Sequence, residues 1–337
     1  MAIGCSVIVP MFNEEEVIEH TYTRLKRVMD VTGEDYELIF VNDGSSDRTA
    51  EIVEAIVRRD AHVRVIHFSR NFGHQVAISA GMDYAAGQSV VIIDADLQDP
   101  PEIILEMLDK WKEGYEVVYG RRIKRKGETV FKKTTALLFY RVLGRLTQVD
   151  IPLDTGDFRL IDRKVCDVLK GLKEKNRFVR GLVGWAGFRQ TQVEYVREER
   201  YAGVTKYPLR KMLRFAADGI TSFSHKPLKI ASYVGFVLSL TSFVYLFVVL
   251  LQKWLAFGTV PGWASIVAIN LFFNGIVLML LGVMGEYIGR IYDETKERPL
   301  YIVRDKAGFE FADGGYLSQN SSTAEGDLRE RAEEYAG

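Results

Sequence analysis

The sequence predicts an α/β fold: a mostly parallel sheet covered by helices, with two membrane-spanning helices behind it. Three observations predict it. Short apolar runs alternate with helix-length segments through roughly the first 225 residues. Those runs are apolar along their length, as strands buried on both faces must be. Two uncharged stretches follow, Ile230–Gln252 and Trp263–Gly285.

The elements follow in order. Ser6-Val-Ile-Val-Pro10 is the first strand; no basic stretch precedes it and Asn13-Glu-Glu-Glu16 follows, so it does not read as a signal peptide. A helix spans about Glu15 to Val31. Glu37–Asn42 is the second strand, closed by the turn and cap cluster Asp43-Gly-Ser-Ser-Asp47. A helix from Arg48 to Arg59 leads to a third strand, Val63–Phe68. Asn71-Phe-Gly73 breaks the chain before a helix through Tyr84. Ser89–Asp94 is the fourth strand. Pro100-Pro101 opens a helix to about Glu113, proline being suited to a first turn, and Tyr115–Tyr119 is the fifth strand.

Composition bounds the class. The chain has 337 residues, 47% hydrophobic and 26% charged, which suits about two domains. It excludes a collagen, a disordered chain and a disulfide scaffold. Lys+Arg number 44 and Asp+Glu 45, a net charge of −1 that argues against nucleic acid as a partner. Cys5 and Cys166 suggest neither a disulfide framework nor a zinc cage, and a reducing compartment follows.

Each uncharged run gives roughly 34 Å of helix, enough for a hydrocarbon core of about 30 Å. Lys226 and Lys229 flank the first run, Glu286 and Arg290 end the second, and Trp254 and Trp263 sit at the turn between them. Asn270 and Asn274 read as bridges between helices. The loop between the runs holds only Lys253, whereas Lys226, Lys229, Arg290, Lys296 and Arg298 lie outside. Both termini and the large domain are therefore expected in the cytoplasm, with the chain in the cell membrane. Pro208–Phe223 places Leu209, Met212, Leu213, Ala216, Ile220 and Phe223 on one helical face, an amphipathic helix at the lipid surface. The expected division is a catalytic domain over 1–207, juxtamembrane helices over 208–228, spans over 229–253 and 263–286, and an arm and flexible tail over 287–337. Within the arm, Arg298–Val303 reads as an added strand or a swapped arm, and the chain from Asp305 onward as tail.

Four clusters carry chemistry. Asp94-Ala-Asp-Leu-Gln98 follows a buried strand, where open α/β sheets gather ligands. Two carboxylates and an amide oxygen at this spacing suit a hard cation, Mg²⁺ or Mn²⁺. Val9-Pro10-Met-Phe-Asn-Glu14 and Val41-Asn-Asp43 close neighbouring strands, where a carboxylate can meet ribose hydroxyls; Asp43 and Asp47 also suit helix caps. Gly120-Arg-Arg-Ile-Lys-Arg-Lys126 and Arg200-Tyr-Ala-Gly203 with Lys206 form basic runs suited to a lipid phosphate or a diphosphate. Asp154-Thr-Gly-Asp157-Phe-Arg159, read as lying between the sheet and the membrane anchor, offers another carboxylate and an arginine to pair with an acid.

Taken together, Pro10…Asn13-Glu14, Asn42-Asp43-Gly-Ser, Asp94–Gln98, Gly156-Asp-Phe-Arg159 and Arg200…Gly203…Lys206 make the chain similar to the family-2 polyprenyl-phosphate glycosyltransferases of GT-A, Rossmann-like fold. The two late spans resemble the bacterial GtrB-like branch, related to dolichyl-phosphate mannose synthase. The resemblance covers residues 1 to about 300. It implies inverting transfer of a sugar from a nucleotide-sugar donor to a polyprenyl phosphate, for the cell envelope. Pro10, Phe12, Glu14, Val41 and Asp43 would hold the nucleoside, and Asp94, Ala95 and Asp96 would continue that surface. Asp96 and Gln98 would hold the metal. Arg122, Arg125, Arg159, Arg200 and Lys206 would meet phosphates. Asp157 is the candidate base, with Asp96 and Arg122 also catalytic. A phosphate monoester is already largely anionic at pH 7, so help from a base matters less than charge stabilisation. Phe12 stands where many relatives carry tyrosine, and His74 where they often carry lysine; His74, on a helix surface, is assigned no role. The resemblance implies UDP-glucose first, then UDP-N-acetylglucosamine or GDP-mannose, with undecaprenyl phosphate as acceptor. It also implies a homo-oligomer, a tetramer, whose spans carry small residues such as Gly235 and Gly282.

Three other readings compete. A processive polysaccharide synthase usually carries Gln-x-x-Arg-Trp, and none of the four tryptophans here follows an arginine. A non-catalytic partner of a lipid-sugar flippase does not need intact acidic, metal and basic clusters. A soluble nucleotidyltransferase leaves the paired spans unexplained.

Overall fold

The computed structural model describes residues 3–124, 155–172, 174–197 and 262–309, with scattered positions between 228 and 251. The expected basic residues Arg125, Arg200 and Lys206, and the amphipathic segment 208–223, lie outside the described residues.

The strands are β1 (Cys5–Met11), β2 (Tyr36–Asn42), β3 (Val63–Phe68), β4 (Ser89–Ile92), β5 (Val117–Lys124), β6 (Thr155–Asp162), β7 (Gln190–Val196) and β8 (Val303–Ala307). They form one sheet in the order β7-β5-β6-β4-β1-β2-β3-β8. β1 pairs in parallel with β2 and β4, β2 with β3, and β5 with β7. β6 runs antiparallel to both neighbours, and β8 antiparallel to β3. The α/β class with a mostly parallel sheet is the class observed.

Between the strands lie α1 (Ile18–Thr32), α2 (Thr49–Arg59), α3 (His74–Tyr84), α4 (Ile103–Lys112), α5 (Arg163–Gly171) and α6 (Val179–Trp185). Alternate strand residues serve opposite cores. Val7, Val9, Leu38 and Phe40 pack with α1, α2 and α4. Ile8, Ile39 and Val41 pack with α3, α5 and α6. β1 and β2 are buried at every residue, because helices cover both faces.

Two corrections to the sequence reading arise here. Thr155–Asp162 is not a linker beyond the sheet: it is β6, inserted between β4 and β5. Its burial of Asp157 and Arg159 disguises it, since charged residues are disfavoured in strands. The tail does not begin at Asp305, which lies within β8; Arg298–Val303 leads into that strand, and Tyr301 stacks on Phe68 while its hydroxyl donates to Asp83 at 2.9 Å. Among the described residues, Asn270 and Asn274 donate along their own helix, to Ile266 O and Asn270 O, and the segment they are expected to bridge to lies largely outside the described residues.

That helix, α7, runs from Trp263 to Thr295, past the expected end at 286. Its stretch Phe272–Thr295 is long and apolar enough to cross a membrane. Phe272, Leu278, Met279 and Ile288 are all exposed, and no core formed by the described residues receives them. The described positions between 228 and 251 are helical. One helix meeting the length and hydropathy test is found among the described residues, where the sequence predicts two spans.

Candidate active site

Strand direction gathers the candidate residues on one edge. β1, β2, β3, β4, β5 and β7 all end there. β6, running the other way, begins there, so Asp157 lies beside the ends of β4 and β5.

The loops that close β1 and β2 are stitched together. Ser45 Oγ accepts from Asn13 N at 3.0 Å, and Asn13 Oδ1 accepts from Ser46 N at 2.8 Å. Thr49 Oγ1 accepts from Glu14 N at 2.9 Å. Asn13 has a left-handed backbone, φ 55°, a conformation asparagine tolerates. Pro10 and Val41 are register partners, both buried, so any contact they offer is through backbone or ring edge. Phe12 is 37% exposed beside them. Asp43, 3% exposed, does not cap α2. Its two oxygens accept from Phe72 N at 2.6 Å and Gly73 N at 3.0 Å, which pins the β3–α3 loop to the end of β2. Asp47 does serve the start of α2, accepting from Thr49 N at 3.0 Å.

The Asp94–Gln98 turn is tight. Asp96 Oδ1 accepts from Gln98 N at 3.2 Å, and Leu97 between them has φ 56°. A bulky residue in that region is strained, and such strain collects at functional sites. Ala95 is buried, its carbonyl held by Thr21 Oγ1 at 2.7 Å. Asp94 Oδ1 is buried without a hydrogen-bond partner. Burial pushes the Asp94 carboxyl up; the His74 charge opposes this, and Asp157, Asp99 and Asp96 add to it.

No three His, Cys, Asp or Glu residues stand close enough to hold a metal by themselves among the described residues. Mg²⁺ and Mn²⁺ need less from protein when substrate phosphates and water complete the shell. Asp96 and Gln98, both hard-oxygen donors on one tight turn, fit that requirement.

Arg122 does not stand alone as a phosphate ligand. Its Nη2 donates to Asp99 at 3.2 Å and its Nε to Tyr195 Oη at 3.2 Å, while Tyr195 donates to Asp99 Oδ1 at 2.5 Å. Burial works against the Arg122 charge, but Asp99 outweighs it and holds the guanidinium protonated. Gly156 lies against this arginine: a Cβ there would sit 2.5 Å from Arg122 Nη2. Arg159 is buried and turns onto its own strand, donating to Gly156 O and Asp157 O. Burial lowers it to about 10. It is thus not placed as an exposed phosphate ligand.

Asp157 is the most heavily contacted of the acids. Arg180 Nε donates to Oδ1 at 2.8 Å and Nη2 to Oδ2 at 3.2 Å, while His74 Nε2 and Gln75 Nε2 each lie 3.2 Å from Oδ2. Burial opposes its ionisation, yet Arg180 and His74 outweigh burial and hold the carboxyl well below its usual range. His74 Nε2 also lies 3.4 Å from Asp94 Oδ1. Burial disfavours the imidazolium, but the two acids win and push it up to about 9.

Three site residues escape the sequence reading. Arg180 and Gln75 carry no motif. His74, read there as a helix-surface residue, instead sits between two of the acids. The available signal is position: His74 follows the Gly73 break at a strand end, on the edge where ligands gather.

The chain is similar to several known proteins. Residues 6–169 match the model of glycosyl transferase family 2, and residues 226–291 that of the GtrB C-terminal hairpin. The uncharacterized glycosyltransferase YkcC of Bacillus subtilis is 65% identical over 308 residues, 91% of this chain and 95% of that protein. The bactoprenol glucosyl transferase of Shigella phage SfV is 40% identical over 302 residues, 89% of this chain and 98% of that protein. Glucosyl-3-phosphoglycerate synthase of Mycobacterium tuberculosis, solved with Mn²⁺, UDP and phosphoglyceric acid, aligns with a TM-score of 0.44 at 21% identity, over 65% of this chain and 76% of that one.

Proposed function

The chain belongs to glycosyl transferase family 2 and carries a GtrB-type C-terminal hairpin, and from that premise we propose that it moves a sugar from a nucleotide-sugar onto a membrane polyprenyl phosphate. UDP-glucose is the proposed donor and undecaprenyl phosphate the proposed acceptor. The observation that carries the reading is the convergence of Asp94, Asp96 and Asp157 on one sheet edge, in a chain 40% identical to a bactoprenol glucosyl transferase. The long apolar helix α7 supports a membrane-bound acceptor. We place the spans over 229–253 and 263–286, with the catalytic domain and both termini in the cytoplasm.

The chemistry is a single displacement. An oxygen of the acceptor phosphate bonds to the anomeric carbon as the bond to the nucleoside diphosphate breaks on the opposite face, which inverts the carbon. Pro10, Phe12, Glu14, Val41 and Asp43 border the nucleoside, and Asp94 and Ala95 continue that wall. Asp96 and Gln98 are the residues that would hold Mg²⁺ or Mn²⁺. When bound, the cation supplies counter-charge for the leaving diphosphate. Arg122, with Arg125, Arg200 and Lys206, adds positive charge. Asp157 serves as an orienting group rather than a base. Its proton affinity is too low, and a phosphate monoester, with a second pKa of about 6, arrives already ionised.

The test is a transfer assay in detergent with undecaprenyl phosphate, Mg²⁺ or Mn²⁺ and a panel of labelled nucleotide-sugars. A lipid-linked sugar from one donor, lost with EDTA and with Asp96→Asn, is the expected result. No binding of any nucleotide would overturn the reading.

A further inference from the structure

We infer that His74 is a positioning residue, a cationic bridge that holds Asp94 and Asp157 together across the gap between β4 and β6. The inference rests on the transfer reaction proposed above.

The sheet itself creates the need for such a bridge. β4 and β6 are antiparallel neighbours, and Ile92 is the register partner of Arg159. Two residues onward along one strand and two back along the other bring Asp94 opposite Asp157. Like charges placed opposite each other across a strand pair repel. His74 Nε2 lies between them, 3.2 Å from Asp157 Oδ2 and 3.4 Å from Asp94 Oδ1.

The bridge is itself anchored. His74 is the first residue of α3, and the two residues before it donate their backbone N–H groups to Asp43. Gln75 reaches both ways: its Nε2 donates to Asp157, and its Oε1 accepts from Val179 N at 3.0 Å. The first turn of α3 therefore fixes Asp157 and the start of α6, which carries Arg180. Asp94 borders the donor wall and Asp157 the opposite side of the edge. Without the cation between them the two acids would part, and with them the two reacting partners. A misplacement of about 1 Å at a reacting centre costs on the order of 100-fold in rate.

The experiment compares His74→Gln and His74→Lys in the full-length protein. Circular dichroism melts verify folding, UDP affinity is measured without acceptor, and kcat is measured with undecaprenyl phosphate. The Gln variant removes the charge and is expected to lose about 100-fold in kcat. Its UDP affinity is expected to stay within about threefold, since Asp43 and the loops after β1 and β2 that border the nucleoside keep their own hydrogen bonds. The Lys variant restores a cation with several donors, and its kcat is expected to return to within about tenfold of the parent. Should the Gln variant fail to fold, adding Asp94→Asn removes one of the two facing charges without unpairing Arg180 and is expected to restore folding; a double variant that stays unfolded would overturn the inference. A Gln variant with parental kcat, a Lys variant as impaired as the Gln variant, or UDP affinity falling in step with kcat would each overturn it as well. Transfer by the parent protein separates these outcomes from a failure of the transfer reading, which would leave the parent inactive too.

Discussion

Asp157 and Arg180 face each other as a two-point ion pair, Nε to Oδ1 at 2.8 Å and Nη2 to Oδ2 at 3.2 Å, with both side chains largely out of solvent. Arg180 also donates to Thr155 O at 3.1 Å, so one guanidinium ties the start of β6 to α6. Removing one partner of a buried pair leaves the other charge uncompensated, which costs about 3–5 kcal/mol. Asp157→Ala is therefore expected to destabilise the protein by that amount in urea unfolding. A loss below about 1 kcal/mol, the worth of an exposed pair, would contradict the buried-pair reading.

The same pair sets a pH expectation. The folded pKa of Asp157 lies below its unfolded value of about 3.9. Its stabilising contribution is then fully present above that value and is lost as pH falls toward the folded one. Turnover measured from pH 5 to 8 should show no rising limb that disappears in Asp157→Asn. Such a limb would restore Asp157 as the base.

His67 gives a second pH expectation, with a different origin. Asn42 Oδ1 accepts from Ser45 N at 2.9 Å, so its amide nitrogen must be the donor to His67 Nδ1 at 3.0 Å. That fixes His67 as neutral with its proton on Nε2. Burial lowers its pKa, with Asp305 and Glu54 opposing. A depressed folded value means that stability is fully present above the unfolded value of about 6.5 and declines as pH falls below it. Unfolding free energy should drop by up to about 1.4 kcal/mol per pH unit in that window. His67→Gln, followed by urea unfolding at pH 7.5 and 5.5, should reduce the slope. An unchanged slope would assign it elsewhere.

Gly44 turns the chain beyond β2 with φ 71°, and a Cβ there would lie 2.5 Å from the backbone carbon of Arg70. Both the left-handed angle and the backbone neighbour exclude a side chain. Gly44→Ala should cost about 1–3 kcal/mol. It should also weaken nucleotide binding, because the displaced segment leads to the Phe72 and Gly73 amides that Asp43 holds. Nucleotide titration of the variant checks this; parental affinity would place the donor away from this turn.

Much of the donor edge is legible in the sequence, and much of the opposite edge is not. β1 to β4 announce themselves as apolar runs ending in polar turns, because a sheet covered on both faces leaves no room for alternation. β6 hides because Asp157 and Arg159 interrupt the apolar pattern. Asp157 is buried against partners distant in sequence, Arg180 and His74, that no local pattern can reveal, while Arg159 turns onto carbonyls of its own strand. Arg122 is visible as part of a basic run, but its partner Asp99 is one acid among several in a turn, and only the fold brings the two to 3.2 Å.

The most direct test of the transfer reading is the anomeric configuration of the product. The protein would be incubated with α-linked UDP-glucose and undecaprenyl phosphate, and the lipid product purified and examined by proton and phosphorus NMR. A glucose joined through a β-linkage to the polyprenyl phosphate is the predicted result, since one displacement by the acceptor phosphate inverts the carbon once. An α-linked product, or glucose released to water while the lipid stays unmodified, would contradict it.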